Sequence, residues 1–558
     1  MIAYSPARSG ELAVSCDGRW IHSRYDPRTE ARRFVERETP ANGGYRTVVI
    51  LGDGLGYLVD AVRERLPTVP IVWLNYHRDL FDHRVADADA MWSGEGPPDR
   101  FLDQTLLDDE SSTLLVLAWE PAARAFPDVA ERCLAALRTV LDRRTAVLAT
   151  EGYFGRRWLR NAVRTALALC ARGSAERHPA VQKAVSADSV VIAASGPSLT
   201  RSLSDLASLP NTTQIWALPS AVSILLNAGI RPDLVVATDG GAYAIEHLKP
   251  LRGLGVPVAA PLSAALDRPE DNFPIVLLDQ GSWFERDLVS LLHTSAIALP
   301  PHGTVAGSAW YLASAIGVRA VSFVGLDLCT ADLHAHPPGH RFERILWPLA
   351  RRTNPLYTTL YRRSVVDSDA VPGPSHGRAR MSRSMRVYAR WFAEVTLPTP
   401  AVRIHPSPVA IAIPAGELPH ATGARRSVAE TPSVPSPSGV PSPSSVPYSS
   451  GVPSPSGVPH GERSSATPSA ADLLRPAVER WTRALDELPT AIRRPARERS
   501  REGALACDIA RTIETAHYLT VLRHAESADA EALAATCLTT LAHCIRRLTA
   551  DGSSGARH

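Results

Sequence analysis

The feature that most constrains the fold of this chain is a strand, glycine turn and helix pattern that occurs twice. The first copy runs from Tyr45 to Ala61, where an apolar run passes through closely spaced glycines into helical spacing. The second begins with the apolar run Val190–Ala194 and turns at Ser195–Leu199. Further strand-length apolar runs alternate with helical stretches at Ile71–Leu74, Thr113–Ala118, Gln214–Leu218, Leu234–Thr238, Ile275–Leu278 and Ala320–Val324. This alternation predicts an α/β chain with two Rossmann-like parallel-sheet domains.

The length of 558 residues exceeds one ordinary core, so several domains are expected. We predict an N-terminal Rossmann-like domain over 1–165 and a central α/β domain over 166–416. Residues 417–470 are rich in Pro and Ser, and the phrase Ser-Gly-Val-Pro-Ser-Pro recurs there, which predicts a disordered linker. Residues 471–550 have i, i+3, i+4 apolar spacing and predict a small all-α module.

Charge and cysteine usage exclude several classes of protein. The formal net charge is +3, and the arginines are spread along the chain, which argues against a nucleic-acid partner. The seven cysteines are scattered without any Cys-x-x-Cys spacing, so they predict neither a disulfide framework nor a zinc site. The N-terminus has no signal-peptide run and no stretch is long and apolar enough for a membrane span. We expect a soluble, cytoplasmic protein.

The first candidate ligand loop contains Gly52, Gly54 and Gly56. Glycines between a strand and a helix let the backbone approach a ligand, and the helix N-terminus offers unpaired N–H groups. A nucleoside site of this type usually has an acidic residue at the end of the next strand, where this chain has Asn75. The alternative interpretation is that these glycines only pack a strand against a helix in a scaffold domain.

The second candidate is the central turn that contains Ser195, Gly196, Pro197 and Ser198. Gly196 permits close approach of the backbone, Pro197 favours the first helical turn, and the Ser198 hydroxyl can donate to a phosphate oxygen at the helix N-terminus. An ordinary helix N-cap would also explain Ser198 without any ligand.

Two further stretches carry polar residues at strand ends or helix starts. Asp239 and Gly240 follow an apolar run, so Asp239 can accept from a sugar or ribose hydroxyl, bind a metal, or serve only as a turn residue. Thr304 precedes a helical stretch of small residues. Asp327 follows the last strand-like run, again at the position where open α/β sheets bind ligands.

Histidines follow Asp327 in a proline-containing segment. His334, His336 and His340 are candidates for a general base that deprotonates an acceptor hydroxyl. Each can also be explained as an exposed loop histidine beside the prolines of this segment. Their spacing is not that of a metal site, and we predict none.

Taken in order, these stretches resemble the motility accessory factor (Maf) glycosyltransferase family, within the MptE-like domain superfamily. The resemblance covers about residues 45–415, and its departures include Asn75 and the linker and tail. The matching phrases are Val49–Gly56, Phe154–Asn161, Ser195–Leu199, Ala228–Asp239 and Val324–Leu328, followed by His334 or His336.

The resemblance implies a sialyltransferase-like central domain and assigns roles to its residues. Gly196, Pro197 and Ser198 become contacts to the donor phosphate, and Ser195, Gly240 and Thr304 complete the donor site. Asp239 becomes a donor-sugar or ribose contact, and Asp327 a structural or catalytic carboxylate. His336 lies at the spacing from Gly325 that the family shows, and His334 is followed by alanine as in the family. Both are therefore candidate catalytic residues.

The implied reaction moves a nonulosonic acid of the pseudaminic, legionaminic or sialic type from a CMP-activated donor to Ser or Thr of a protein, most simply flagellin. It requires no cofactor. One alternative is an MptE-like 6-hydroxymethylpterin diphosphokinase, which would need Mg²⁺ on carboxylates such as Asp239 or Asp327. Another is a non-catalytic adaptor that binds flagellin through the helical tail.

Overall fold

The computed structural model of this chain contains two compact units. Unit 1 comprises Met1–Arg156 and Pro476–Ala550, and unit 2 comprises Arg157–Arg475 and Asp551–His558. The structure describes residues 1–40, 45–106, 113–172, 179–266, 273–331, 333–366, 368–371, 379–404, 413, 470–494, 498–524 and 527–554. The predicted linker 417–470 lies outside the described residues except for Ala470, and the predicted domain boundaries stay predictions.

Unit 1 contains a four-stranded parallel sheet in the order β6-β5-β4-β7. A small antiparallel sheet of β1, β2 and β3 precedes it, which the sequence reading did not predict. The strands are β1 Ile2–Pro6, β2 Leu12–Cys16, β3 Arg19–Trp20, β4 Thr47–Gly52, β5 Ile71–Asn75, β6 Ala90–Trp92 and β7 Leu114–Ala118. The helices are α1 Pro27–Glu38, α2 Tyr57–Arg65, α3 Arg78–Asp82, α4 Pro98–Thr105, α5 Glu120–Ala125 and α6 Pro127–Arg172, within which the two units divide.

Unit 2 is built on an eight-stranded parallel sheet in the order β13-β12-β11-β10-β9-β8-β14-β18. Its strands are β8 Ser189–Ala193, β9 Thr213–Ala217, β10 Leu234–Val236, β11 Val258–Pro261, β12 Ile275–Asp279, β13 Ile297–Ala298, β14 Ala320–Val324 and β18 Ala401–Arg403. The strands β15 Thr330–Ala331, β16 Ser368–Val371 and β17 Ala379–Ser382 form a separate antiparallel sheet. The helices are α7 Pro179–Val185, α8 Leu203–Ala207, α9 Val222–Asn227, α10 Ala242–Leu248, α11 Trp283–Leu291, α12 Val305–Ala315, α13 Arg341–Leu346, α14 Leu356–Val365 and α15 Arg383–Glu394.

The central strands of unit 2 are covered on both faces, which explains their unbroken apolar sequences. In β8, Val190 and Ile192 pack into the core on one side of the sheet. Val191 and Ala193 pack into the core on the other side. A strand buried on both faces requires apolar residues at every position rather than at alternate positions.

The C-terminal helices are α16 Ala470–Asp486, α17 Leu488–Ala491, α18 Arg501–Ile513, α19 Thr515–His524 and α20 Ser527–Ser554. Most of this segment belongs to unit 1, where α18 contacts α6. A Cβ atom on Gly155 would lie 2.0 Å from the carbonyl oxygen of Thr512, so glycine is needed for this contact. Arg156 also pairs with Glu514 at 2.6 Å. The predicted α/β class with parallel sheets and a helical C-terminal region is confirmed.

Candidate active site

A cavity of about 370 Å³ lies in unit 2 at the carboxyl ends of β8, β9 and β14. The chain proceeds from β8 through β9 to β13 on one side of β8, and it then places β14 on the other side. Open parallel sheets bind ligands where the strand order reverses in this way. Polar residues from separate segments line the cavity, namely Ser195, Ser220, Asp239, His247, Thr304, Asp327, His336, Ser384 and Tyr388.

The central turn borders this cavity through Ser195 and Gly196. The Gly196 amide donates to the Gly325 carbonyl at 2.7 Å. A Cβ atom on Gly196 would lie 2.5 Å from that carbonyl and 2.5 Å from Asp327 Oδ2. Glycine is therefore required at this position to let the ends of β8 and β14 meet, whatever ligand the cavity holds.

Ser198 points into the protein rather than into the cavity. Its hydroxyl donates to Asp327 Oδ1 and its amide donates to Asp327 Oδ2, both at 2.7 Å. Both residues are nearly inaccessible to solvent. The predicted contact of Ser198 with a donor phosphate is therefore corrected, because the hydroxyl proton is already used by a carboxylate. Of the two roles considered for Asp327, this geometry favours the structural one.

Pro197 and Gly240 support the site without lining it. Pro197 begins a short 3₁₀ helix, Pro197–Ser202, that follows the turn. A Cβ atom on Gly240 would lie 2.3 Å from the Trp158 ring. Asn161 donates to the Gly240 carbonyl at 3.2 Å and to the Ser263 carbonyl at 3.0 Å. In unit 2, the end of the Phe154–Asn161 phrase thus supports the loop that carries Asp239.

Asp239 is exposed and lines the cavity. One of its carboxylate oxygens accepts from the Gly241 amide at 2.7 Å, and its carbonyl accepts from the Ala265 amide at 2.9 Å. These bonds fix the loop while the side chain reaches solvent. The carboxylate can therefore accept from a hydroxyl of a molecule in the cavity.

Thr304 places the N-terminus of α12 at the cavity. Its hydroxyl accepts from the Gly307 amide at 2.9 Å, which makes Thr304 the N-cap, and Val305 and Ala306 also line the space. The positive end of an 11-residue helix favours a negatively charged group there. The Thr304 amide donates to His302 Nδ1 at 3.0 Å, a support that the sequence reading did not identify.

Of the two catalytic histidine candidates, the structure places His336 in the cavity wall. His334 instead lies 3.5 Å from Glu343. His336 Nδ1 lies 2.9 Å from the Ser195 carbonyl oxygen and 3.0 Å from the Ser195 hydroxyl. Because a carbonyl oxygen only accepts, Nδ1 carries the proton, and Nε2 is the basic nitrogen of the neutral ring.

The ring of His336 stacks on that of His340, and His247 lies beside this pair in a tilted orientation. The His336 ring lies 4.0 Å from that of His340 with an angle of 18° between the planes, and His340 lies 4.9 Å from His247. Burial lowers the pKa of all three, to about 4 for His247 and about 2 for His340, and repulsion between neighbouring rings adds to this for those two. The rings are therefore neutral near pH 7. The sequence reading did not single out His247, which is distant in the chain.

The N-terminal glycine loop is filled by side chains of unit 1. All three glycines have positive φ values. A Cβ atom on Gly54 would lie 2.7 Å from His22 Nε2, and one on Gly52 would lie 2.8 Å from the Tyr76 ring. Gly56 directly precedes α2 as its N-terminal cap residue.

The amides at the start of α2 are also occupied by protein groups. The fully buried Asp53 carboxylate accepts from the Leu58 and Val59 amides at 2.9 and 3.1 Å, and burial raises its pKa to about 7. His22 Nε2 accepts from the Leu55 amide at 3.0 Å. This arrangement favours the scaffold interpretation of Gly52, Gly54 and Gly56.

The described residues also bear on metals and membranes. Within that part of the chain, no group of three or more His, Cys, Asp or Glu side chains is arranged to hold a metal ion. In the same part, every helix is too short or too polar to cross a bilayer.

Comparisons with known proteins agree with this architecture. Residues 173–332 match the family described as 6-hydroxymethylpterin diphosphokinase MptE-like, so this part of the chain is similar to that family. A solved Maf glycosyltransferase from Magnetospirillum magneticum AMB-1 is similar with a TM-score of 0.54 and 14% identity, over 98% of this chain and 91% of that one. This likeness shows a shared fold.

A protein of Treponema pallidum (strain Nichols), described as uncharacterized, is 30% identical over 296 residues. The match covers 53% of this chain and 58% of that protein, so it spans less than two thirds of the relative's length.

Proposed function

We propose that unit 2 is a glycosyltransferase that moves a nonulosonic acid from a CMP-activated donor to a Ser or Thr hydroxyl of a protein, with flagellin as the acceptor. The observation that carries the proposal is the cavity at the strand-order reversal, which brings Asp239, Thr304 and His336 together at a helix N-terminus. The fold shared with a Maf glycosyltransferase supports it. The seven cysteines form no disulfide within the described residues, which supports a reducing, cytoplasmic setting.

The donor would lie with its phosphate near the start of α12 and the Ser195 turn. The helix N-terminus favours the negative charge that grows on the phosphate as the bond to the anomeric carbon breaks. Asp239 would accept from a hydroxyl of the ribose or of the sugar. CMP leaves with the electron pair of the broken bond.

His336 would act on the acceptor. The neutral ring can take the hydroxyl proton at Nε2 while the acceptor oxygen forms the new bond to the anomeric carbon. The hydrogen bond from Nδ1 to the Ser195 carbonyl holds the ring orientation and stabilises the imidazolium that results. In one step the hydroxyl proton passes to His336, the acceptor oxygen bonds to the anomeric carbon and CMP departs, so atoms and charges balance.

The test is to incubate the full chain with a CMP-nonulosonic acid and flagellin, and to measure CMP release and the intact mass of flagellin. We expect CMP release that depends on flagellin and a mass increase of whole sugar units. Absence of both with pseudaminic, legionaminic and sialic donors, together with no CMP binding by calorimetry, would overturn the proposal.

The diphosphokinase is the second candidate, because the family that matches residues 173–332 is described by that activity. It would require Mg²⁺ on carboxylates of the cavity, yet both oxygens of Asp327 accept from Ser198. Incubation with ATP, Mg²⁺ and 6-hydroxymethylpterin, with AMP as the measured product, separates the two. AMP formation that EDTA abolishes would favour the kinase.

A further inference from the structure

Exposed aromatic and apolar side chains are concentrated in one segment of unit 2, residues 341–366. Trp347, Leu349, Tyr357 and Tyr361 are between 54% and 65% exposed. They lie on or beside α13 and α14, and we refer to this segment as the 341–366 face. Exposed apolar side chains that are grouped together mark interaction surfaces more often than scattered ones do.

The same face is strongly basic. Residues 341–366 contain six arginines and one acid, Glu343, which gives a net charge of +5 in a chain whose total is +3. The Glu343 carboxylate already lies near His334 and accepts from the Gly339 amide. Five of the arginines are exposed, namely Arg344, Arg351, Arg352, Arg362 and Arg363. The complementary partner is therefore acidic.

The face is continuous with the wall of the cavity. Tyr243 of α10 lies 5.9 Å from Phe342 of α13, and α10 also supplies His247 to the cavity. Ser364 of α14 donates to the Leu333 carbonyl at 2.8 Å, three residues before His336. A chain bound on the face would therefore lie next to the histidine that acts on the acceptor.

We infer that the 341–366 face docks the acceptor protein through a segment that combines acidic and apolar side chains close to the modified Ser or Thr. The inference rests on the proposed function. Tyr, Trp and Arg are the residue types that dominate binding energy at protein interfaces, and the face combines all three.

The test compares two double variants of the full chain, Trp347→Ala/Tyr357→Ala and Arg351→Glu/Arg352→Glu. The altered side chains are exposed, so the fold should be kept. Matched controls are Tyr25→Ala, which alters an equally exposed aromatic residue of unit 1, and Arg252→Glu/Arg286→Glu, which alters exposed arginines elsewhere in unit 2. CMP affinity, flagellin affinity and the KM for flagellin are measured for each.

We expect KM and the dissociation constant for flagellin to rise about tenfold in both test variants and to stay within about twofold in the controls, with CMP affinity unchanged in all. Unchanged flagellin binding in the test variants would overturn the inference. Retention of flagellin binding with loss of co-sedimentation on vesicles of 30% anionic lipid would overturn it in favour of a membrane surface. Flagellin binding without any CMP binding would instead overturn the proposed function. The flagellin affinities of the variants would still show whether the 341–366 face binds flagellin.

Discussion

The two glycine turns of this chain occupy equivalent positions in their sheets but have different surroundings. Each follows a buried parallel strand, precedes a helix and lies where the strand order of its sheet reverses, at β4 in unit 1 and at β8 in unit 2. In unit 1, His22 and Tyr76 lie against the glycines, and Asp53 occupies the helix amides. In unit 2, Ser195 opens on a cavity of about 370 Å³.

A glycine turn of this type can therefore bind a ligand only where residues from distant parts of the chain leave the space beside the turn open. His22 reaches the N-terminal turn from 33 positions away, and His336 reaches the central turn from 141 positions away. His22 fills the space beside the N-terminal turn, whereas His336 lines the cavity beside the central turn. Five predictions test this contrast between the two turns.

The largest expected effect concerns His336, the proposed catalytic histidine that borders the central turn. His336→Asn keeps an N–H group for the Ser195 carbonyl but removes the base, so kcat for transfer should fall about 1000-fold while CMP affinity stays within about twofold. The matched control is His334→Asn, which alters a histidine paired with Glu343. Equal losses in both variants, measured by CMP release, would contradict the assignment.

The second prediction sets the two turns against each other. Gly196→Ala brings a Cβ atom within 2.5 Å of the Gly325 carbonyl and should weaken CMP binding at least about 100-fold, because the turn must move. Gly54→Ala meets His22 and a positive φ, so it should lower the melting temperature while sparing CMP affinity in the folded fraction. Calorimetry and thermal melts would show the reverse pattern if the N-terminal turn were the site.

The third prediction uses the histidine stack. Because the folded pKa of His340 is lowered to about 2 from the ordinary 6.5, the unfolded chain binds the proton first, and stability should fall as pH drops below 6.5. His340→Asn keeps an acceptor for the Phe342 amide. The decrease in the free energy of unfolding between pH 7 and pH 5 should be about 2 kcal/mol smaller in this variant than in the unaltered chain. Urea unfolding at both pH values measures this, with His543→Asn as the exposed control. An unchanged pH dependence would argue against the stack.

The fourth prediction concerns Asp239. Asp239→Asn keeps the bond from the Gly241 amide but removes the charge, so CMP-sugar affinity should fall about tenfold. Asp279→Asn is a close control, because Asp279 ends β12 and, like Asp239, accepts from the amide two residues later, at 2.8 Å. If both variants bound the donor as the unaltered chain does, Asp239 would be only a turn residue.

The smallest effect is expected at Ser198. Ser198→Ala removes one hydrogen bond to the buried Asp327 and should lower the free energy of unfolding by about 1–2 kcal/mol, with CMP affinity within about twofold. Ser202→Ala is the control, because the buried Ser202 hydroxyl has no partner within the described part of the chain. A loss of donor affinity without loss of stability would restore the phosphate contact inferred from sequence.

The parts of the site that follow from strand order were predictable. Ser195, Asp239 and Asp327 each follow a strand-like run, and the carboxyl ends of parallel strands share one edge of a sheet. Their meeting in one cavity required only that the strands be recognised. The class of fold followed in the same way from apolar runs such as Val190–Ala194.

The parts that depend on side-chain packing were not predictable. Three features depend on which distant segment fills a given space. Ser198 binds Asp327, His340 stacks on His336 beside His247, and Tyr388 of α15 reaches the cavity. Periodicity gives the buried face of an element but not its partner.

Sequence patterns likewise did not predict that residues 476–550 belong to unit 1. Helical apolar spacing predicted those helices, but Gly155 and Thr512, which meet in unit 1, give no local sign of each other.

The most direct test of the central claim is a crystal structure of the full chain grown with CMP. We predict that the phosphate lies at the start of α12, within hydrogen-bond distance of Thr304 or Ser195, and that the ribose lies beside Asp239. CMP bound instead at the Gly52–Gly56 turn, with His22 displaced, would contradict the account.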